Sequence, residues 1–265
     1  MAATPTVLIT GGSSGIGLEL AKLFARDNYR LVLVSKPATE LQEAQKTLSQ
    51  AFPDTDIICL QKDLSVEGAA AEVYAFTQEK QWPIDVLVNN AGFGTFGPII
   101  QTDMQHESAM IRLNILCVYQ LTRLFLDDMI KRRQGKIMNV ASVAAFQPNP
   151  HMATYGATKA FVFNFTMALR YELKEKGLPI DVLALCPPQT HSGFQKAAQM
   201  EKANTFDSIF TLQSDEVARN GYRALMQGKA RNIPKPWIAF LHKFVRRLPM
   251  AWLMYFARDS LREKS

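Results

Sequence analysis

Tyr155 and Lys159 stand four residues apart in T-Y-G-A-T-K, at the head of a helical run that continues to Lys176. Residues i and i+4 share a helix face, so the phenol and the ammonium point the same way. A positive charge near a phenol favours phenolate and is expected to lower its pKa from ~10 toward neutrality. A phenol so tuned gives a proton to a carbonyl oxygen or takes one from an alcohol. Ser142 ends an apolar run thirteen residues earlier, where its hydroxyl can hold the same oxygen. A second constellation, T-G-G-S-S-G-I-G from Thr10 to Gly17, carries Gly11, Gly15 and Gly17. Such glycines let the chain turn sharply and bring backbone amides against a pyrophosphate at a helix N-terminus. A plain strand-to-helix turn needs only one of them. The spacing differs from G-x-G-x-x-G and lacks a phosphate-loop lysine.

Both constellations lie where a particular architecture would put them. Short apolar, β-rich runs occupy 6–10, 31–35, 56–61, 85–89, 136–142 and 180–186. Segments of helical period lie between them at 18–27, 38–52, 66–80, 103–131 and 154–176. Strand–helix alternation with near-continuous apolar strands predicts a parallel sheet covered on both faces. Right-handed crossovers make it a doubly wound α/β sheet, a Rossmann fold, with ligands at the carboxyl ends of the strands. The expected organisation is one domain over 1–227 with a C-terminal helical extension over 228–265.

The ordered set of motifs resembles the short-chain dehydrogenase/reductase family. T-G-x-x-x-G-x-G follows the first strand and Asn89-Asn90-Ala91-Gly92 the fourth. Asn114 lies in the next long helix, Ser142 ends the fifth strand, and Tyr155-x-x-x-Lys159 opens the helix after it. The resemblance spans roughly residues 6–194. It implies that Asn114, Ser142, Tyr155 and Lys159 are catalytic, with Lys159 also on the nicotinamide ribose and Asn114 holding a water in a relay to Lys159. It places the cofactor against Gly11, Ser13, Ser14, Gly15, Ile16, Gly17, Ser35, Lys36, Asp63, Leu64, Asn90, Ala91, Gly92, Tyr155, Lys159, Pro187, Thr190 and Ser192. It also implies a homodimer or homotetramer paired through the long helices. Taken singly, Ser142 reads as a strand-end hydroxyl and Asn114 as a helix irregularity.

An acid ending the second strand would bind the 2′-hydroxyl of NAD. Here Ser35 takes that place and Lys36 follows, so the expected cofactor is NADP(H), with Lys36 on its 2′-phosphate. Ser14 stands where many NADP-using relatives carry a second basic residue. The other readings are a solvated Lys36 and an Asp63 that caps the next helix rather than touching adenine. Pro188 replaces the family's usual glycine after Pro187. Phe93, Phe96, Gln147, Met152 and Phe194 are the expected substrate residues, and 195–206 a lid. These walls are apolar and offer no fixed cation, which suits a hydrophobic ketone or secondary alcohol of steroid, long-chain acyl or xenobiotic type. The competing reading is a nicotinamide-binding scaffold or redox sensor without turnover.

Composition excludes other classes. Cys59, Cys117 and Cys186 are odd in number and scattered, as are the four histidines, so no disulfide framework or metal site is expected. The N-terminus lacks a signal-peptide pattern, and no apolar run approaches the ~20 residues of a spanning helix. A cytoplasmic protein is expected. The net charge of +6 is concentrated at one end: nine Lys or Arg against two acids follow Gln227, a net of +7. Residues 237–248 are amphipathic and 250–257 wholly apolar, which suits either a roof over the cleft or peripheral membrane contact. The tail lacks the interleaved aromatic and base-reading groups of a nucleic-acid binder, so no such partner is expected.

Overall fold

The structure, a computed structural model, describes residues 4–191, 211–235 and 237. Seven parallel strands form the central sheet in the order β3-β2-β1-β4-β5-β6-β9. They are β1 Thr6–Thr10, β2 Arg30–Ser35, β3 Ile57–Gln61, β4 Val86–Asn89, β5 Gly135–Val140, β6 Ile180–Leu185 and β9 Arg231–Asn232. A pair of two-residue strands, β7 Thr190–His191 and β8 Leu212–Gln213, forms a separate ribbon. Strands β1 and β4 are buried throughout, as expected where helices cover both faces.

The helices α1 Gly15–Arg26, α2 Ala38–Ala51, α3 Ala69–Glu79, α4 Met104–Ile111, α5 Val118–Arg132, α6 Ala153–Glu175 and α7 Ser214–Met226 divide between the two faces. Leu20 and Phe24 of α1, Leu41 and Leu48 of α2, and Val217 and Leu225 of α7 share one core cluster with strand residues. Val73 of α3, Leu121, Phe125 and Met129 of α5, and Leu169 and Leu173 of α6 build the other. The chain winds outward from β1 to β3, then returns to β4 on the other side of β1. That reversal opens a crevice at the carboxyl ends of β1 and β4, the site such sheets offer to ligands.

A buried polar chain fixes α5 and α6 to the sheet. Asn89 Nδ2 of β4 donates to Thr122 Oγ1 of α5 and to Asn139 Oδ1 of β5, at 3.0 and 2.8 Å. Asn139 Nδ2 donates in turn to Thr166 Oγ1 of α6 at 3.0 Å. Removing any member would leave buried partners unpaired, which costs more than the bond's own net worth.

The six longer strands lie within one residue of the sequence pattern except at the end of the fifth run, where the strand stops two residues earlier. Helix α1 starts earlier than predicted, inside the glycine loop. Helix α3 starts later, because 63–68 forms a turn: Asp63 Oδ1 accepts from Ser65 N at 2.9 Å, and Gly68 is left-handed with φ 82°. The predicted long helix 103–131 exists, but a π-helical stretch, Arg112–Cys117, separates α4 from α5. This continuous run, Met104–Arg132, holds an 18-residue window of mean hydropathy 1.3, long and apolar enough to cross a membrane by length and composition. That corrects the expectation of no such segment. Core helices pass the same test, and here Leu121, Phe125, Leu126 and Met129 pack in the core. Ser192, Phe194, the lid 195–206 and the tail beyond Lys235, apart from Trp237, lie outside the described residues.

Candidate active site

Helix α6 begins just beyond the sheet's carboxyl edge and brings Tyr155 and Lys159 into the crevice. The Tyr155 phenol is hydrogen-bonded by the Ser142 hydroxyl. Ser142 precedes a 3-10 turn, Val143–Phe146, where its Oγ accepts from Ala144 N at 3.1 Å and lies 3.5 Å from Pro187 O, an alternative acceptor for its single proton. Lys159 is buried, donates to Val140 O at 2.9 Å, and places Nζ 5.8 Å from the centroid of the Tyr155 ring. Asn114 sits in the π-helical stretch, with its amide wholly engaged. Nδ2 donates to Phe93 O at 2.9 Å and Thr158 Oγ1 at 3.1 Å, while Oδ1 accepts from Phe93 N at 3.3 Å. Such a widened turn re-aims one side chain without breaking the helix. Gly92 lies between the two: a Cβ there would meet Asn114 Oδ1 at 2.9 Å and Lys159 Nζ at 3.4 Å. All four predicted catalytic residues therefore converge.

Their protonation differs from the sequence expectation. Burial pushes the Tyr155 phenol up to about 12, and the Ser142 bond opposes that rise only in part. Burial also brings Lys159 down to about 8, opposed by the nearby Cys186. Desolvation is thus the largest influence on both groups. At neutral pH the arrangement is a protonated phenol beside a largely charged lysine, which is a proton donor.

The glycine loop fits a pyrophosphate. Gly11 is left-handed, φ 62°, and Gly17 packs against it; a Cβ on Gly17 would lie 2.1 Å from Gly11 O. Ser14 is the N-cap of α1, but its side chain makes no capping bond, so the first-turn amides of Gly15, Ile16 and Gly17 face the crevice uncapped. Asn90 braces the loop, donating from Nδ2 to the carbonyls of Thr10 and Gly11, both at 3.0 Å. Thr10 Oγ1 accepts from the amides of Asn90 and Ala91. Asn90 is thereby a support of the loop, and Leu64 and Ile16 pack on core residues.

At the end of β2, Ser13 Oγ lies 2.8 Å from Ser35 Oγ and 3.3 Å from Glu40 Oε2. Lys36 is exposed and pairs with Asp63 at 2.7 Å. Burial raises the Asp63 carboxyl, but Lys36 and the two Ser65 bonds outweigh it and hold it below the usual range. Lys36 therefore pairs with one acid, and a second, Glu40, which the sequence reading missed, reaches the same end of β2 through Ser13. Thr190, in β7, is buried and donates to Pro188 O at 2.9 Å.

On the substrate side, Met110, Met152 and Tyr155 are buried together, with Phe93, Phe96 and Ala144 packed against them. Gln147 is half-buried at the end of the 3-10 turn, apart from that cluster. Met110 was also missed, although its place one turn before Asn114 puts both on one helix face. His106 tilts against Phe93 and His151 stacks on Phe96, with ring centroids 4.7 and 5.9 Å apart. Among the described residues no group of His, Cys, Asp and Glu could hold a metal.

The family model for short chain dehydrogenase matches residues 5–203. An uncharacterised short-chain type dehydrogenase/reductase of Sinorhizobium fredii is 35% identical over 216 residues, 80% of this chain and 82% of that relative. The fold matches a short-chain dehydrogenase from Sphingobium yanoikuyae in complex with NADPH, with a TM-score of 0.80, 29% identity, and 93% and 97% of the two chains covered. It also matches the bulky-bulky ketone specific alcohol dehydrogenase of Comamonas testosteroni, with a TM-score of 0.78, 28% identity, and 98% and 96% covered. With the family model spanning most of its length and a relative of this kind 35% identical to it, the chain belongs to the short-chain dehydrogenase/reductase family.

Proposed function

We propose that this oxidoreductase is a carbonyl reductase that uses NADPH to reduce bulky, hydrophobic ketones. The observation that carries the reading is the apolar wall of Met110, Met152, Phe93 and Phe96 around a protonated Tyr155. Tyr155 gives its proton to the carbonyl oxygen, and Ser142 orients that oxygen by hydrogen bond. Lys159 holds a positive charge beneath the phenol and faces the nicotinamide ribose, while Asn114 fixes the loop carrying Phe93. The bound nicotinamide supplies the hydride. The likeness to a ketone-specific alcohol dehydrogenase supports the substrate class. The test is NADPH oxidation against apolar ketones of increasing bulk, with turnover expected on the bulky members. Tight NADPH binding without turnover on any ketone would favour a nicotinamide-binding scaffold instead.

Lys36 carries the preference for NADP(H). Its pairing with Asp63 is a surface ion pair, typically worth under about 1 kcal/mol, so a 2′-phosphate can compete for it. Glu40 and Asp63 oppose that phosphate, so the preference is expected to be modest. Titrating NADPH and NADH against wild type, Lys36→Ala and Ser35→Asp should show preference, narrowing and reversal in turn. Equal binding of both cofactors by wild type would remove Lys36 from this role.

Oligomerisation follows the same reading. Tyr119, Phe161 and Phe165 form an aromatic patch on α5 and α6, with Tyr119 and Phe161 exposed. A homodimer or homotetramer would cover it, and sedimentation of the full chain reads the subunit count; a monomer at micromolar concentration counts against the pairing.

A further inference from the structure

We propose that Glu107 is a positioning residue that latches the substrate-side loop onto the head of the catalytic helix. Glu107 projects from α4 and divides its two carboxylate oxygens between two elements. Oε1 accepts from Thr95 Oγ1, in the loop after β4, at 3.1 Å. Oε2 accepts from Thr154 Oγ1, the residue before Tyr155, also at 3.1 Å. Thr95 is buried and lies between Phe93 and Phe96, the two aromatic members of the substrate wall. One carboxylate therefore sets the distance between that wall and the proton donor. A backbone bond runs alongside, from Gly97 N to His151 O at 2.8 Å.

Three further observations favour this role. Beyond Gly97 the loop turns outward, and Ile99 and Ile100 are 57% and 88% exposed, so the buried part of the wall ends at the latch. Helix α6 has no side-chain cap from Met152 and no acid in its first turn. Glu107 brings a negative charge to that end from another helix, where the helix dipole favours it. Without Glu107 the buried Thr95 hydroxyl would lose its acceptor, a loss that costs more than the bond's net worth.

The catalytic consequence rests on the ketone-reductase reading, and the latch itself does not. Tyr155 stays anchored by Ser142 whatever happens at Glu107, so losing the latch should loosen the wall more than the acid. Glu107→Ala is expected to raise KM for a bulky ketone about tenfold, the scale of one lost charge-assisted hydrogen bond, with kcat changed less than about threefold. Glu107→Gln keeps the length and one carbonyl acceptor, and the threonine hydroxyls can rotate to suit the amide. It should bring KM back within about threefold of wild type. A second measurement needs no turnover: amide hydrogen exchange of the full chain, read at Gly97. Exchange there should accelerate about tenfold in Glu107→Ala and stay near wild type in Glu107→Gln, with β1 and α3 unchanged. Unchanged exchange at Gly97 in the alanine variant would overturn the assignment. Uniform acceleration through β1 and α3 would do the same, since it would mean general destabilisation. A wild type without ketone turnover would end the reductase reading, while exchange at Gly97 would still decide the latch.

Discussion

Tyr155→Phe is expected to fold, bind cofactor and lose ~10²–10⁴ in kcat, the usual cost of removing a positioned general acid. The ring keeps its packing on Met110 and Met152, so only the hydroxyl is lost. Ser142 retains Ala144 N and Pro187 O as partners after the change. Steady-state kinetics with a bulky ketone, alongside a cofactor titration, check this. A phenylalanine variant keeping more than half of the wild-type kcat would end the mechanism. The pH profile of reduction separates the roles further. With the phenol at about 12, Tyr155 keeps its proton throughout the neutral range. Lys159, at about 8, loses its charge as the pH rises through that value. The alkaline limb of kcat/KM is therefore expected near 8 and belongs to Lys159. A limb near 10 or above would assign it to the phenol instead.

Gly17→Ala is expected to abolish tight nicotinamide binding, with a loss of at least about a hundredfold. The new Cβ would lie 2.1 Å from Gly11 O and 2.6 Å from Asn90 Nδ2. Neither neighbour gives way cheaply: one is backbone, and the other holds two loop carbonyls. Overpacking of this kind costs ~1–3 kcal/mol, and here the displaced atoms are those that shape the pyrophosphate cradle. Thermal unfolding and NADPH titration should both register it. Binding within threefold of wild type would mean that Gly17 does not form the cradle.

The sequence was most legible where burial is two-sided. Runs such as TVLIT and VLVN are mostly apolar and buried at every position because helices cover both faces of the sheet. The glycine loop and the Tyr155–Lys159 pair were readable because their chemistry depends on local spacing. What stayed hidden depends on distance along the chain or on burial. Glu107 meets Thr154 across 47 residues, and Ser13 meets Glu40 across 27. No spacing rule links such pairs. The two-residue strand β9 is too short to show a period. The π-helical turn at Asn114 shifts hydrogen bonds while leaving apolar periodicity almost unchanged. The phenol's shift reversed in direction because desolvation, invisible in a motif, is the largest influence on it and the Ser142 bond opposes it only in part.

The chain Thr122–Asn89–Asn139–Thr166 bears on where this molecule can breathe. It joins α5 and α6 to adjacent central strands, so neither helix can slide or tilt without stranding an amide in the interior. Asn114 and Tyr155 are carried by what is mechanically a single block. A large substrate must therefore gain entry by displacing something else, and the outward loop 98–103, where Ile99 and Ile100 are exposed, is such a segment among the described residues. Precision and access are thus assigned to different parts of the chain: the sheet and its two locked helices keep time for the proton transfer, while the rim yields to the shape of the guest.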